Sequence, residues 1–161
     1  MKLLDKPLHA LTAEDLMTDT VLTIPIHMSL RGAAQLLMRA RVTGAPVIDE
    51  TRRCVGVIST TDFLKMAGNI LLHGPIDQGT CDWQVFDLDR VPEDCVQGFM
   101  TADPVTVSRD TLLGDIARRM VDAHIHRVIV VDEQGRPVGI VSMTDVLAAV
   151  AHHACVEAMS V

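Results

Sequence analysis

Two short clusters carry the side chains best suited to chemistry: Ser59-x-Thr61-Asp62 and Ser142-x-Thr144-Asp145. A carboxylate accepts two hydroxyl hydrogen bonds at once, so one Asp can hold both hydroxyls of a ribose. Ser and Thr hydroxyls, together with the free amides at a helix N-terminus, can meet a phosphate or ribose oxygen. A second reading fits the same residues. Ser-x-x-Asp resembles a capping box with Asp in place of Glu or Gln, and an acidic residue in a first helical turn is stabilising without any ligand. The two roles can coexist.

Other constellations are thinner. Neither standard phosphate loop occurs, and no nucleophile elbow supports a Ser-His-Asp triad, so the residues nominate no enzyme. His124 and His126, or His152 and His153 with Cys155, do not supply three or four converging ligands, and no metal site is expected. The His-rich end reads as a solvated helix tail or a dimer contact.

The elements that would position the two clusters follow from periodicity. Each cluster ends an apolar strand and starts a helix: residues 55–64 read VGVISTTDFL and residues 138–147 read VGIVSMTDVL. Residues 21–24 predict a short strand before Pro25. Over residues 28–41, Leu30, Ala33, Ala34, Leu37 and Met38 recur at helical spacing, with Ser29 near the N-cap and Gly44 as the stop. Residues 45–48 and 54–59 predict strands around the polar turn 49–53, and a helix follows from Thr60. An offset of 83 residues, Asp62 to Asp145, repeats the pattern without a gap. Met17-Thr18 meets Met100-Thr101, Asp49-Glu50 meets Asp132-Glu133, and Val55-Gly56 meets Val138-Gly139. This is internal duplication. Each unit runs strand, helix, strand, strand, helix, with a three-stranded sheet that has one face to cover. Such a unit alone is marginal in size, which is a physical reason for two to bury those faces against each other.

The chain has 161 residues, 48% of them hydrophobic, a mean hydropathy of +0.28 and only 2% aromatics, so its core must be aliphatic. A net charge of −7 and the scarcity of aromatics argue against nucleic-acid binding. The first residues carry charge at Asp5, Lys6, Glu14 and Asp15, so no signal peptide is expected. No apolar run reaches the length of a membrane span. Cys54, Cys81, Cys95 and Cys155 form no C-x-x-C pair, and a reduced, cytoplasmic protein is the expectation. The expected organisation is a leader (1–12), a first unit (13–66), a connector (67–95), a second unit (96–150) and a helical tail (151–161). The connector reads as an ordered surface loop or one that gates a ligand or partner.

The duplicated set of motifs resembles a CBS-domain pair, the Bateman module, standing alone. The marks are Met17-Thr18, Gly44-Ala45-Pro46-Val47 and residues 55–64. In the second unit they are Met100-Thr101-x-x-Pro104-Val105, His126-Arg127 and residues 138–147. The resemblance implies an α/β (α+β) fold of tandem pseudo-twofold CBS units. It also implies a regulatory module, not an enzyme, that binds an adenosine-containing ligand (AMP, ADP, ATP or S-adenosylmethionine) between its units. It implies a homodimer and a regulated protein partner. Asp62 and Asp145 would take the ribose, flanked by Ser59, Thr61, Ser142 and Thr144. His126 and Arg127, which stand where the first unit has Thr43-Gly44, would contact phosphate. Across the pseudo-twofold axis they are expected to face Asp62, leaving the Asp145 pocket to face Gly44 and Ala45. Adenine would lie against Val21, Leu22, Ala45 and Pro46 in one cleft and Pro104, Val105, Val128 and Ile129 in the other. The alternative is a dimerisation or protein-interaction scaffold with no nucleotide affinity.

Overall fold

The computed structural model describes residues 6–73 and 94–158. The first unit contains β1 (Ile24–Pro25), α2 (Leu30–Ala40), β2 (Gly44–Ile48), β3 (Cys54–Ser59) and α3 (Thr60–His73). It is preceded by α1 (Ala13–Leu16). The second unit opens with β4 (Thr101–Ala102). It contains β5 (Thr106–Val107), α4 (Leu113–Asp122), β6 (Arg127–Val131), β7 (Pro137–Ser142) and α5 (Met143–Ala158). Most of the 67–95 connector lies outside the described residues.

The amphipathic pattern of α2 buries Leu30, Ala33, Ala34 and Leu37 on one face. Its N-terminus is capped by Ser29, whose Oγ accepts from the Gly32 amide at 3.2 Å. The helix ends at Arg41, which turns left-handed at φ 54°. Gly44 is therefore not the stop; it opens β2. A Cβ there would sit 3.1 Å from the Ile58 carbonyl and 3.2 Å from Ser59 Cβ, so β3 approaches closely enough that a side chain would force it to give by a few tenths of an ångström. The first strand is shorter than expected, because Val21 and Leu22 do not join the ladder.

In the first sheet the order is β1-β2-β3-β4, with β1 parallel to β2 and the other pairs antiparallel. The second sheet, β5-β6-β7, repeats the first three strands. Three strands were expected in each unit. The fourth strand of the first sheet comes from the start of the second unit, and in return Thr18 bridges to Ile140 of β7 through paired backbone bonds of 3.0 Å.

The exchange extends to the cores. Leu11, Ala13 and Leu16 are buried with Val107, Leu113, Ile116, Met120, Val128, Val130 and Val141 of the second unit. Val96 is buried with Ile24, Leu30, Leu37, Val47, Ile58 and Phe63 of the first, with Phe99 and Met100 packed alongside. Each unit's leading arm thus completes the other unit's core. The backbone bonds match: Ala13 N donates to the Thr111 carbonyl at 2.8 Å, and Val96 N to the Met28 carbonyl at 2.9 Å. Two glycines admit the arms. A Cβ on Gly56 would fall 2.5 Å from Met100 Sδ, and one on Gly139 would collide with Met17 Sδ. The Met-Thr and Val-Gly marks of the two units are therefore halves of the same contact, made crosswise.

The hairpin turns are also paired. Asp49 Oδ1 accepts from Thr51 N at 2.8 Å and Arg53 N at 2.9 Å, while Asp132 Oδ1 accepts from Gln134 N at 2.9 Å and Arg136 N at 2.8 Å. The hydrogen bond from the Thr51 hydroxyl, then that from the Arg53 amide, holds the Asp49 carboxyl below its ordinary range. Both turns use a left-handed residue at matching positions, Arg52 at φ 66° and Gly135 at φ 78°.

Candidate functional site

Strand alternation decides which side chains face between the units. Along β6, Val128 and Val130 point into the second core, while Arg127 and Ile129 point the other way. Val128 is fully buried and is not among the residues lining the cleft described below, unlike Ile129, beside which it was expected. The same alternation brings Val57 of β3 and Ile140 of β7 to the space between the units. The sheets' outward faces thus enclose a cleft, while their core faces are covered by helices and by the exchanged arms.

This cleft measures about 560 Å³. The first unit supplies Thr43, Gly44, Ala45, Pro46, Val57, Ser59, Thr61 and Asp62; the second supplies Thr101, Asp103, Pro104, Val105, His126, Arg127 and Ile129, among others. The Asp62 corner and the His126-Arg127 pair therefore line the same space. Val21 and Leu22 are half-buried and are not among its walls. Ala45 and Pro46 share it with Pro104 and Val105, so the apolar linings expected of two clefts meet in one. Gly44 and Ala45 stay with Asp62 and do not turn towards Asp145. Gly44 pairs with Ser59 in the β2–β3 ladder, which fixes it beside its own corner.

Both corners are capped from within. Asp62 Oδ2 accepts from Ser59 N at 2.8 Å and from Ser59 Oγ at 2.7 Å. Asp145 Oδ2 accepts from Ser142 N at 2.8 Å and from Ser142 Oγ at 2.5 Å. Oδ2 thus holds the helix start, while among the described residues Asp62 Oδ1 accepts no hydrogen bond, and the residue lines the cleft. Thr61 is exposed on the same wall. Ser142, Thr144 and Asp145 are not among the residues lining this cleft.

Arg127 links the two units. Its backbone pairs with Ser142, and its Nη1 reaches across to donate to Thr43 Oγ1 at 2.8 Å. Thr43 is itself tied to the first corner, since its carbonyl accepts from Thr60 N at 2.9 Å; the matching bond, Met143 N to the His126 carbonyl, is 2.8 Å. The guanidinium is thereby held on the wall that carries Asp62, with most of its five donors unspent.

Cleft residues that sequence reasoning did not nominate for ligand contact include Thr43, Asp103, His124, Val57 and Ile140. Val57 and Ile140 were recoverable from period-two alternation with Ser59 and Ser142. Asp103 stood next to Pro104, yet nothing local distinguished it. Cys54 lies outside the cleft, and burial pushes its thiol up to about 11, which marks it as a packing group. Among the described residues no three His, Cys, Asp or Glu side chains converge as metal ligands. His153 is not a solvated tail residue: α5 packs on the leader, and the ring nitrogens lie 2.9 Å from the Lys6 and Ala149 carbonyls.

A family model for the CBS domain matches residues 13–69 and again 96–152. The chain belongs to the CBS-domain family, as a tandem pair. It is 30% identical over 126 residues to the CBS domain-containing protein CBSX1 of Arabidopsis thaliana, covering 73% of this chain and 53% of the relative. The chain thus spans about half the length of that relative. Over 117 residues it is 28% identical to the 5'-AMP-activated protein kinase subunit gamma-3 of Sus scrofa, covering 73% of this chain and 21% of that one. The crystal structure of CBSX2 of Arabidopsis thaliana in complex with AMP superposes with a TM-score of 0.68 at 28% identity, over 88% of this chain and 96% of that one. The mixed α/β architecture of two small sheets is that of a CBS pair. No helix among the described residues is long and apolar enough to cross a membrane.

Proposed function

We propose that this CBS pair is a regulatory sensing module whose inter-unit cleft binds an adenosine-containing nucleotide. One observation carries the reading: the Asp62 corner, the Arg127 guanidinium and the apolar Ala45, Pro46, Pro104 and Val105 line one cleft of about 560 Å³. That volume is within the ordinary range for small-molecule sites. Asp62 Oδ1 receives the ribose hydroxyls, Ser59 and Thr61 flank it, Arg127 and His126 meet phosphate, and the apolar wall takes the base. The AMP complex of CBSX2 and the likeness to a kinase gamma subunit support the ligand class and the regulatory role. The second corner, with Ser142, Thr144 and Asp145, serves mainly as a helix cap. In this reading the module senses its ligand, and the polar groups of the cleft hold that ligand in place.

Signalling works by differential affinity. A ligand bridging both walls favours one arrangement of the two units, and only a difference in affinity between arrangements can transmit its level. A homodimer is the assembly that this reading includes. Leu64 on α3 and its counterpart Leu147 on α5 are 65% and 60% exposed, matched apolar positions that a second copy would cover. The free thiols of Cys54 and Cys95 suit a reducing compartment such as the cytoplasm.

Thermal shift and calorimetric titration with AMP, ADP, ATP and S-adenosylmethionine test the reading. Stability should rise with ligand concentration. Asp62→Ala should weaken binding about tenfold to a hundredfold, because hydrogen bonds to a charged group are worth about 1.5–3 kcal/mol. A flat response to all four ligands would instead support the dimerisation scaffold, for which the capping bonds at both corners already account for Ser-x-x-Asp.

A further inference from the structure

Among the described residues four non-glycine residues adopt left-handed backbone: Arg41, Arg52, Asp103 and His124. Three of them have counterparts across the repeat. Arg41 and His124 occupy matching positions where α2 and α4 end, and Arg52 matches Gly135 in the hairpin turns. Asp103 does not. The residue that matches it in the first unit is Thr20, which is not left-handed. The conformation is also unfavourable for a second reason, since a residue before proline is normally driven to extended backbone and Asp103 precedes Pro104. Its φ is 51°.

The backbone turn lies where the chain passes from β4 of the first sheet to β5 of the second, but the fold makes no use of the Asp103 side chain. Asp103 is exposed and has no hydrogen bond or ion pair among the described residues. What the arrangement does achieve is to set a second carboxylate on the wall of the cleft that holds Asp62. Among the described residues on that wall Arg127 is the one permanent cation, and it is already tied to Thr43.

We infer that Asp103 is a charge filter: it restricts the cleft to adenosine ligands of low negative charge, a nucleoside monophosphate in preference to a triphosphate. The inference rests on the adenylate reading above. One guanidinium fork matches one phosphate. Each further phosphate adds negative charge in a space that already holds two carboxylates, and the repulsion from Asp103 grows with that charge. Because the repulsion depends on charge and falls off slowly with distance, it does not require Asp103 to touch the ligand.

The test is calorimetric titration of the full chain with AMP, ADP and ATP, for the wild type and for Asp103→Asn. Asparagine removes the charge while tolerating left-handed backbone nearly as well as any side chain. Wild type should bind AMP more tightly than ADP and ADP more tightly than ATP. Asp103→Asn should tighten ATP about fivefold and AMP about twofold or less, as expected for a screened charge acting on ligands of different valence. Asp103→Gly, which also relaxes the backbone, should show the same narrowing of the ATP-to-AMP ratio, with a thermal melt confirming the fold. An unchanged ratio in both variants overturns the filter while leaving the adenylate reading intact. If the wild type binds none of the three, the adenylate reading itself falls, and the filter with it.

Discussion

The corners at Asp62 and Asp145 share the same residues, the same capping bonds and the same strand-to-helix turn, yet they have different surroundings. Beside Asp62 lies a cleft walled by both units, crossed by the Arg127–Thr43 hydrogen bond. The Asp145 corner is not part of that cleft. The difference does not come from the corners. It comes from what stands at one matched position elsewhere: His126-Arg127 in one unit and Thr43-Gly44 in the other. A duplicated fold can thus keep two copies of a motif for the same local capping reason while only one of them lines this cleft.

The comparison can be broken or sharpened by mutation. The largest effect belongs to the arms. Leu11→Ala should cost about 3 kcal/mol of unfolding free energy, by the large-to-small rule for fully buried positions. In the other arm, Val96→Ala should cost about 2 kcal/mol. Chemical denaturation reads both, and a near-neutral result at either position would show that the two arms are not equivalent supports. Next come the glycines that admit them. Gly139→Ala and Gly56→Ala should each cost about 1–3 kcal/mol through overpacking against Met17 and Met100. Relief by Met17→Ala in the Gly139 variant, and not in the Gly56 variant, would establish the crosswise pairing.

A smaller change separates the corners. Asp145→Ala should lose about 1 kcal/mol, the usual value of a helix cap, and leave adenylate affinity near wild type. Asp62→Ala should lose the same stability and the affinity as well. Equal loss of binding in both variants would show that the second corner holds ligand too. The smallest effect is in the turns. Arg52→Gly should raise stability by about 0.5–1 kcal/mol, because glycine adopts without penalty the left-handed backbone that Arg52 is forced into. Gly135 already has this advantage in the other turn, and thermal melts are sufficient to read the gain.

Much of this architecture was legible because it is local. The periodicity of Leu30, Ala33, Ala34 and Leu37 marked α2, and the apolar run ending at Ser59 marked β3 with the bounds observed. The constant offset then carried each element to the second unit. Two kinds of feature were not legible. Gly44 reads as a helix stop by composition, but the tight space around it comes from β3, a strand ten residues further on. The arms are more distant still: nothing near Leu11 indicates that its partners are Val107 and Ile116. The site divided along the same line. Asp62 stood out by type and spacing and Arg127 through the family resemblance, whereas Thr43 and Asp103 gain meaning only from what lies across the cleft.

The exchanged arms also bear on the ancestry of such a chain. A protein with a single copy of the unit would have a core missing part of its cover and an arm with no groove to fill. Two such chains satisfy each other by trading arms, as a domain-swapped dimer does. Joining the copies end to end turns that encounter between molecules into one within a molecule, at an effective concentration set by the connector. Once the partner is guaranteed, either half is free to diverge without losing the other. The two corners, alike in sequence and unlike in surroundings, are the kind of outcome that such freedom permits.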